Sequence, residues 1–314
     1  MEFSTFVKKV KDALVQYYGP DASIDSQSVP KNNGVRLQGI SVMLPGKNIA
    51  PTVYLEPYYN RYEKGESFSE LFQEITGIYE ESQLPEGLSM DFFQDYEKVR
   101  RKLVLRLVHA GKNEELLRQI PHLPFLDLAV VCHCILIGES FGTGSVLINN
   151  DHLKVWGIEA GKLFEDAREN GSRILPGRFH KMGEMVRELL GTLESRESFQ
   201  EEKESNREIR QLADEIDNSP VPMTVVTNPY KYYGASCILY EGLLEKIAGE
   251  YEDDICILPS SVHEVILIPR RGERDFQRLN QMVQEVNETQ VDPQEWLSDH
   301  VYLYERETGR ILGK

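Results

Sequence analysis

The stretch from Leu126 to Ile137, LDLAVVCHCILI, is the most apolar in the chain and most constrains its fold. A run of valine, isoleucine, leucine and cysteine is typical of a buried strand. It predicts the central strand of a sheet, with Cys132 and Cys134 on one face and His133 on the other. Consecutive residues of an extended chain cannot converge on one ion, and the sequence has no CxxC pair. We therefore predict no metal site here and assign His133 to core packing.

Further strands are predicted around this one. In Leu103–Val108 a single charged residue, Arg106, interrupts the apolar run. Ala235–Tyr240 is a short apolar run and predicts another strand. Asp254–Pro269 contains two apolar runs separated by a Pro-Ser-Ser turn, which predicts a pair of buried strands.

The same turn carries the weak candidate site of the sequence: Ser260, Ser261, His263 and Glu264. Ser261 and His263 are two residues apart and would share one face of an extended segment, with Ser260 and Glu264 on the other. A nucleophilic serine needs a base within hydrogen-bond reach and an acid that orients the base. The alternative, which we favour, is that the serines satisfy backbone groups of the turn and that His263 and Glu264 act in folding or partner binding.

Helices interspersed with hairpins predict an α+β fold, with small mixed or antiparallel sheets and packed helices in two to three domains. The periodicity from Phe179 to Leu193 predicts one of these helices. Acidic residues crowd residues 194–218, and such a run is typical of a solvated helix or a linker. The predicted organisation is an N-terminal α+β unit at 1–88, a middle α+β unit at 89–193 packed with it, an acidic helical linker at 194–218 and a C-terminal α+β domain at 219–314.

Composition and motifs mainly exclude classes of function. The chain has 35 basic and 51 acidic residues and a formal net charge of −16, which opposes direct binding to a nucleic-acid backbone. Neither a signal peptide nor a membrane helix is predicted, so we expect a cytoplasmic protein with reduced cysteines. The glycine-bearing turn Gly138–Gly144 lacks the lysine and the following helix of a phosphate loop, and no cofactor is predicted.

Several stretches together resemble an uncharacterised domain-of-unknown-function family of gut anaerobic bacteria. The resemblance covers essentially the whole chain and is carried by Asn32–Val35, Asn48–Leu55, Pro121–Val131, Val226–Ala235, Leu258–Ile266 and Val286–Val291. It implies a bacterial cytoplasmic protein and agrees with the predicted domain division. The family has no established activity, so the resemblance transfers no catalytic residues.

Three functional hypotheses remain open after these exclusions. The first is a non-catalytic interaction or regulatory protein whose acidic surface suits a partner with a basic surface. The second is a hydrolase or transferase that uses Ser261 and His263. The third is an acidic protein that mimics nucleic acid, for which a continuous stripe of surface carboxylates would be needed. The sequence leaves the oligomeric state unknown.

Overall fold

The computed structural model of the protein describes residues 1–46, 50–81, 91–138, 142–196, 203–259, 261–271 and 275–314. Ser260 of the predicted site and residues 139–141 of the glycine-bearing turn lie outside the described residues. Within these ranges, helices surround three sheets whose strand pairs are all antiparallel. The predicted α+β class is confirmed.

The N-terminal part folds around a three-stranded sheet of order β1-β2-β3. Its elements are α1 (Phe3–Tyr18), β1 (Ser23–Pro30), β2 (Arg36–Met43), β3 (Thr52–Tyr54), α2 (Glu56–Glu63) and α3 (Phe68–Glu81). Helix α1 buries Phe6, Val10 and Leu14, which lie on one face because they are four residues apart. These side chains pack with Ile40 and Ile75 in a core of their own.

The middle part contains a second sheet built on the apolar strand β6. Its elements are α4 (Asp91–Gln94), α5 (Tyr96–Val99), β4 (Leu103–His109), α6 (Glu114–Leu117), β5 (His122–Phe125), β6 (Leu128–Gly138), β7 (Gly142–Leu147), α7 (Asn150–Trp156) and α8 (Ala160–Ile174). Strand β6 pairs with β4 along one edge, whereas β5 and β7 share the other edge. The predicted central strand is confirmed.

The last part is organised by a six-stranded sheet of order β13-β12-β10-β11-β9-β8. Its elements are β8 (Arg178–Lys181), α9 (Met182–Arg196), α10 (Lys203–Asp217), β9 (Thr224–Thr227), α11 (Leu243–Tyr251), β10 (Ile255–Leu258), β11 (Val265–Pro269), α12 (Phe276–Gln290), β12 (Tyr302–Glu305) and β13 (Arg310–Gly313). The two strands predicted within Asp254–Pro269 are β10 and β11, which pair directly.

Two sequence predictions in this part are wrong. Residues Arg178–Lys181 form β8 instead of the first turn of a helix, because they pair with β9. The segment predicted as a strand at Ala235–Tyr240 is a 3₁₀ helix, Gly234–Leu239, whose first five residues are all buried. A short apolar run that is buried on every side carries no strand periodicity, so its sequence could not distinguish the two.

The predicted linker contains helix α10, which packs against α9 as a helical hairpin. Arg187 of α9 lies 2.7 Å from a carboxylate oxygen of Asp214 and 2.9 Å from one of Asp217. Strand β8 precedes this hairpin in the sequence, yet it belongs to the same sheet as β9, which follows the hairpin. A boundary at 194–218 would therefore separate neighbouring strands of one sheet, and the four-part division remains a prediction.

The largest core joins the middle and last parts. Cys132, Cys134 and Cys237 lie in it together with Ile257 and Tyr302, and Cys256 is buried in an adjacent cluster. Burial raises the pKa of the Cys134 and Cys237 thiols to about 12, so they are protonated at neutral pH. In the described ranges, no group of three or more His, Cys, Asp or Glu is arranged to hold a metal ion. None of the helices described combines the length and the hydropathy needed to cross a bilayer.

Candidate functional site

A polar cavity lies where all three parts of the chain meet. Its volume is about 360 Å³, and its walls come from the turn after β1, the face of β4, β6 and β7, and the loop after β9. Its polar lining residues are Lys31, Asn32, Arg106, His133, Ser145, Tyr232 and Tyr233, and we call it the polar cavity. Its volume falls within the range of about 300–1,000 Å³ that is usual for small-molecule sites, and its lining is more polar than that of most such sites.

Strand alternation explains why one sheet face is polar here. The register opposes Arg106 to Val131 and Val104 to His133, so both polar side chains lie on the same face of the sheet. Ser145 of β7 is opposite Ile135 and therefore shares that face. The other face carries the cysteines and leucines of the core, so the sheet separates the polar cavity from the largest hydrophobic cluster.

Four side chains in the polar cavity form one hydrogen-bonded group. Ser145 Oγ lies 3.2 Å from His133 Nδ1, 2.9 Å from the Tyr232 hydroxyl and 3.2 Å from the Tyr233 hydroxyl. The Tyr232 hydroxyl donates to the Tyr233 hydroxyl at 2.8 Å. Because the serine and the two tyrosines each contact the other two, their positions are mutually fixed.

Three buried atoms around the polar cavity are left without partners. Among the described residues, His133 Nε2, Arg106 Nε and Asn32 Oδ1 are buried and accept or donate no hydrogen bond. His133 is only 4% exposed and Asn32 only 8% exposed. Each such atom costs about 1–3 kcal/mol of stability relative to a paired one. Native proteins leave few buried polar atoms unpaired, and three beside one cavity indicate a ligand or ordered water that completes them.

The charge of the polar cavity is positive. The Arg106 guanidinium carbon lies 4.2 Å from the centre of the Tyr233 ring, and Lys31 Nζ lies 3.6 Å from the centre of the Tyr54 ring. Burial, together with the charge of Arg106, lowers the pKa of His133 well below its usual range, so this imidazole is neutral at physiological pH. No aspartate or glutamate of the described chain lines the cavity.

Comparison with known proteins assigns a family. The model of a family of unknown function, DUF5688, matches residues 3–306. The chain belongs to the DUF5688 family. The resemblance to an uncharacterised family is thereby confirmed, while the bacterial source remains a prediction. No curated protein and no solved structure matches this chain.

In this DUF5688 chain, the predicted residue His263 does not line the polar cavity but contacts the backbone of Tyr233, which does. The backbone N–H of Tyr233, a residue with φ of 56°, donates to His263 Nδ1 at 3.3 Å. His263 Nε2 lies 3.5 Å from a carboxylate oxygen of Glu295. Because Nδ1 accepts, the ring proton of the neutral imidazole is on Nε2 and points to Glu295. Burial lowers the pKa of His263 despite this carboxylate, which favours that neutral form.

The other predicted site residues take structural positions in the DUF5688 chain. The Ser261 hydroxyl accepts from the backbone N–H of His263 at 3.0 Å and does not contact the imidazole. Glu264 is partly buried, and burial raises the pKa of its carboxyl group, with Lys231 lowering it less. The structure thus brings Ser261 and His263 together through the backbone, whereas His263 and Tyr233 connect the predicted stretch to the polar cavity.

Sequence reasoning missed the residues of the polar cavity in this DUF5688 chain. A signal existed for two of them: Arg106 interrupts an apolar strand, and His133 faces away from the cysteines beside it. Both are unusual positions for a charged or imidazole side chain inside a buried sheet. Ser145, Tyr232 and Lys31 carry no local signal, because their importance arises only when distant segments meet.

Replacing His263 with glutamine should cost only about 1 kcal/mol of unfolding free energy, the scale of one ordinary hydrogen bond. The glutamine amide oxygen can accept the Tyr233 N–H in place of Nδ1, while the contact with Glu295 is weakened. Urea unfolding of the variant measures the difference, with His122→Gln at an exposed site as the matched control. A loss of an enzymatic activity in a folded His263→Gln variant would contradict this supporting role.

Proposed function

We propose that the protein is a non-catalytic, cytoplasmic regulatory protein whose polar cavity binds a small molecule. The observation that carries the proposal is the set of buried, unpaired atoms of Asn32, Arg106 and His133 around one cavity. Evolution retains costly unpaired groups mainly at functional sites, where a ligand completes them. The formal net charge of −16 further supports a protein partner with a basic surface, to which ligand binding would be communicated.

The hydrogen-bond pattern favours recognition over catalysis. A serine nucleophile needs a base that an acid orients. His133 contacts Ser145, yet no carboxylate of the described residues contacts its other nitrogen. Burial also raises the pKa of Tyr232, so this hydroxyl remains protonated and acts as a hydrogen-bond donor. Fixed neutral donors beside a cation are suited to holding a ligand.

A hydrolase or transferase is the second candidate. One observation favours it, the 3.2 Å contact between Ser145 Oγ and His133 Nδ1 inside a cavity. This pair differs from the Ser261 and His263 pair of the sequence, whose hydroxyl is taken by a backbone N–H. An activity that Ser145→Ala abolishes in a folded protein would favour this candidate.

Arg106→Met provides the first test. An arginine that stabilises the fold usually has a carboxylate partner, and its removal is costly. Among the described residues, Arg106 contacts only the Tyr233 ring in this way. We therefore expect the ligand-free variant to lose less than about 1 kcal/mol of unfolding free energy. A loss above about 3 kcal/mol, as for a buried paired charge, would contradict a role in binding.

Thermal unfolding with a library of small polar molecules provides the second test. A ligand at 100 times its dissociation constant stabilises the folded protein by about 2.7 kcal/mol, which a melting curve detects. We expect stabilising compounds whose effect disappears in Arg106→Met and Ser145→Ala. Arg278→Met, at an exposed arginine of α12 outside the polar cavity, is the matched control and should keep the full effect.

A further inference from the structure

We infer that the ligand of the polar cavity is a small hydroxylated or amino-bearing organic anion, held through its carboxylate or phosphate by Arg106 and Lys31. This inference rests on the proposed function and specifies the chemical class of its ligand. It follows from the charges, the unpaired atoms and the volume of the cavity.

Arg106 differs from the structurally paired arginines of this fold. Arg61, Arg100, Arg187 and Arg270 each lie within 2.9 Å of a carboxylate oxygen. Arg106 has neither a hydrogen bond nor an ion pair with any described residue, although acidic residues outnumber basic ones by 51 to 35. A partly buried guanidinium without a counter-charge is unfavourable, so the missing negative charge is best supplied by a ligand.

Lys31 adds a second positive charge to the wall of the same cavity. Its ammonium group stacks on Tyr54 and forms no ion pair within the described ranges. Glu295, which lies beside His263, is engaged with that imidazole and does not line the cavity. Two cations without a lining carboxylate fit one carboxylate or phosphate group, since arginine binds both through paired N–H groups.

The neutral groups specify the rest of the ligand. The Tyr232 proton is used within the hydrogen-bonded group, and the Ser145 or the Tyr233 hydroxyl can turn its proton to an oxygen atom of the anion. Asn32 Nδ2 donates to the carbonyl oxygen of Gln294 at 2.7 Å, which fixes the amide so that Oδ1 is the unpaired atom. A ligand that carries an O–H or N–H group can supply the donor that this acceptor lacks.

The volume limits the ligand to a small molecule. The cavity measures about 360 Å³. Since a water molecule takes up about 30 Å³ in the liquid, this space corresponds to roughly a dozen waters. A hydroxy acid or a small phosphate monoester fits, whereas a nucleic acid or a protein segment does not.

The experiment compares matched probes by thermal unfolding and calorimetry on the full chain. The probes are glycerol 3-phosphate, citrate, inorganic phosphate and acetate, with uncharged glycerol and cationic ethanolamine as small counterparts that carry no negative charge. We expect the anions to raise the melting temperature, the hydroxylated ones most, and glycerol and ethanolamine to have no effect. Raising the salt concentration should weaken binding, because the attraction is partly electrostatic.

Variants locate the effect in the polar cavity. Arg106→Gln and Lys31→Gln should each weaken binding of glycerol 3-phosphate at least tenfold, and Arg106→Lys should retain an intermediate affinity because it keeps the charge. Arg278→Gln should bind as the unaltered chain does. A different outcome would be that glycerol or ethanolamine binds, that Ser145→Ala abolishes this binding, and that the anions do not bind. The anion inference would then be wrong, while the proposed function would stand. If no probe shifts the unfolding temperature at a concentration of about 50 mM, which is 50 times a millimolar dissociation constant, and the variants change nothing, the anion inference and the proposed function are both overturned.

Discussion

Replacing Gly234 with alanine should prevent folding or lower the free energy of unfolding by about 3 kcal/mol or more, at the upper end of overpacking costs. A β-carbon at this position would overlap the backbone carbonyl oxygen of His263 and the Thr227 hydroxyl, and it would lie 2.8 Å from Thr227 Cα. Thr227 belongs to the paired strand β9, whose backbone atoms cannot move aside as the end of a side chain can. The damage would reach the polar cavity directly, because Gly234 follows Tyr233.

Gly249→Ala is the matched control for this prediction. Gly249 lies inside helix α11, and a β-carbon there meets nothing within 4 Å. Because alanine favours a helix over glycine by about 1 kcal/mol, this variant should be as stable as the parent chain or more stable. Circular dichroism during urea unfolding measures both variants. Equal stability of Gly234→Ala and the parent would mean that β9 and the turn before β11 are farther apart than the structure has them.

Asp166→Asn should lower the free energy of unfolding by about 3 kcal/mol, the scale of a broken buried charge pair. Asp166 is only 2% exposed, and its carboxylate accepts from the Tyr96 hydroxyl at 2.6 Å, from Arg100 at 2.9 Å and from Lys162 at 3.0 Å. In asparagine an amide nitrogen, itself a donor, would replace one carboxylate oxygen and face donors of Tyr96, Arg100 or Lys162 from which it cannot accept a hydrogen bond. Asp151→Asn is the control, because the Asp151 side chain is 81% exposed and its surface ion pair with Lys154 should contribute little to stability.

The difference in unfolding free energy between the parent chain and Asp166→Asn should also depend on pH, which gives a second measurement. Burial acts to raise the pKa of this carboxyl, but the hydrogen bonds from Tyr96, Lys162 and Arg100 outweigh it and hold the pKa below the usual range. A carboxyl whose pKa is lower in the folded state stabilises the fold above its unfolded pKa of about 3.9 and loses that contribution as the pH falls through the folded value. The difference between parent and Asp166→Asn should therefore be full at pH 7 and shrink below about pH 4. An unchanged difference at low pH would contradict the role of the charge.

The strands that sequence reasoning predicted well are those with a strong local signal. Leu128–Gly138 and Ile255–Leu258 are apolar, contain valine or isoleucine and are bounded by turn residues, and this combination favours a strand over a buried helix. Arg178–Lys181 has no such signal, since its polar residues become a strand only through pairing with Thr224–Thr227. Tertiary contacts of this kind override local propensity.

The candidate site was harder to predict than the fold for the same reason. The serine and histidine at 261 and 263 are close in sequence and attract attention, yet they serve the turn and the backbone of Tyr233. The polar cavity instead joins Lys31, Arg106 and Tyr233, which lie far apart along the chain. Only the register of β4 and β6 places Arg106 and His133 on one face, and the sequence of neither strand by itself determines that register.

The pairing of β8 with β9 and the shared core also set the order in which the chain can fold during synthesis. The N-terminal sheet pairs residues as near as Pro30 and Arg36, so it can form soon after its strands leave the ribosome. The cysteine face of β6 must wait, because its covering residues include Ile257 and Tyr302 near the end of the chain. Until translation is nearly complete, this face is covered only in part, by residues such as Leu163 and Phe164, and its remaining apolar surface is open to aggregation.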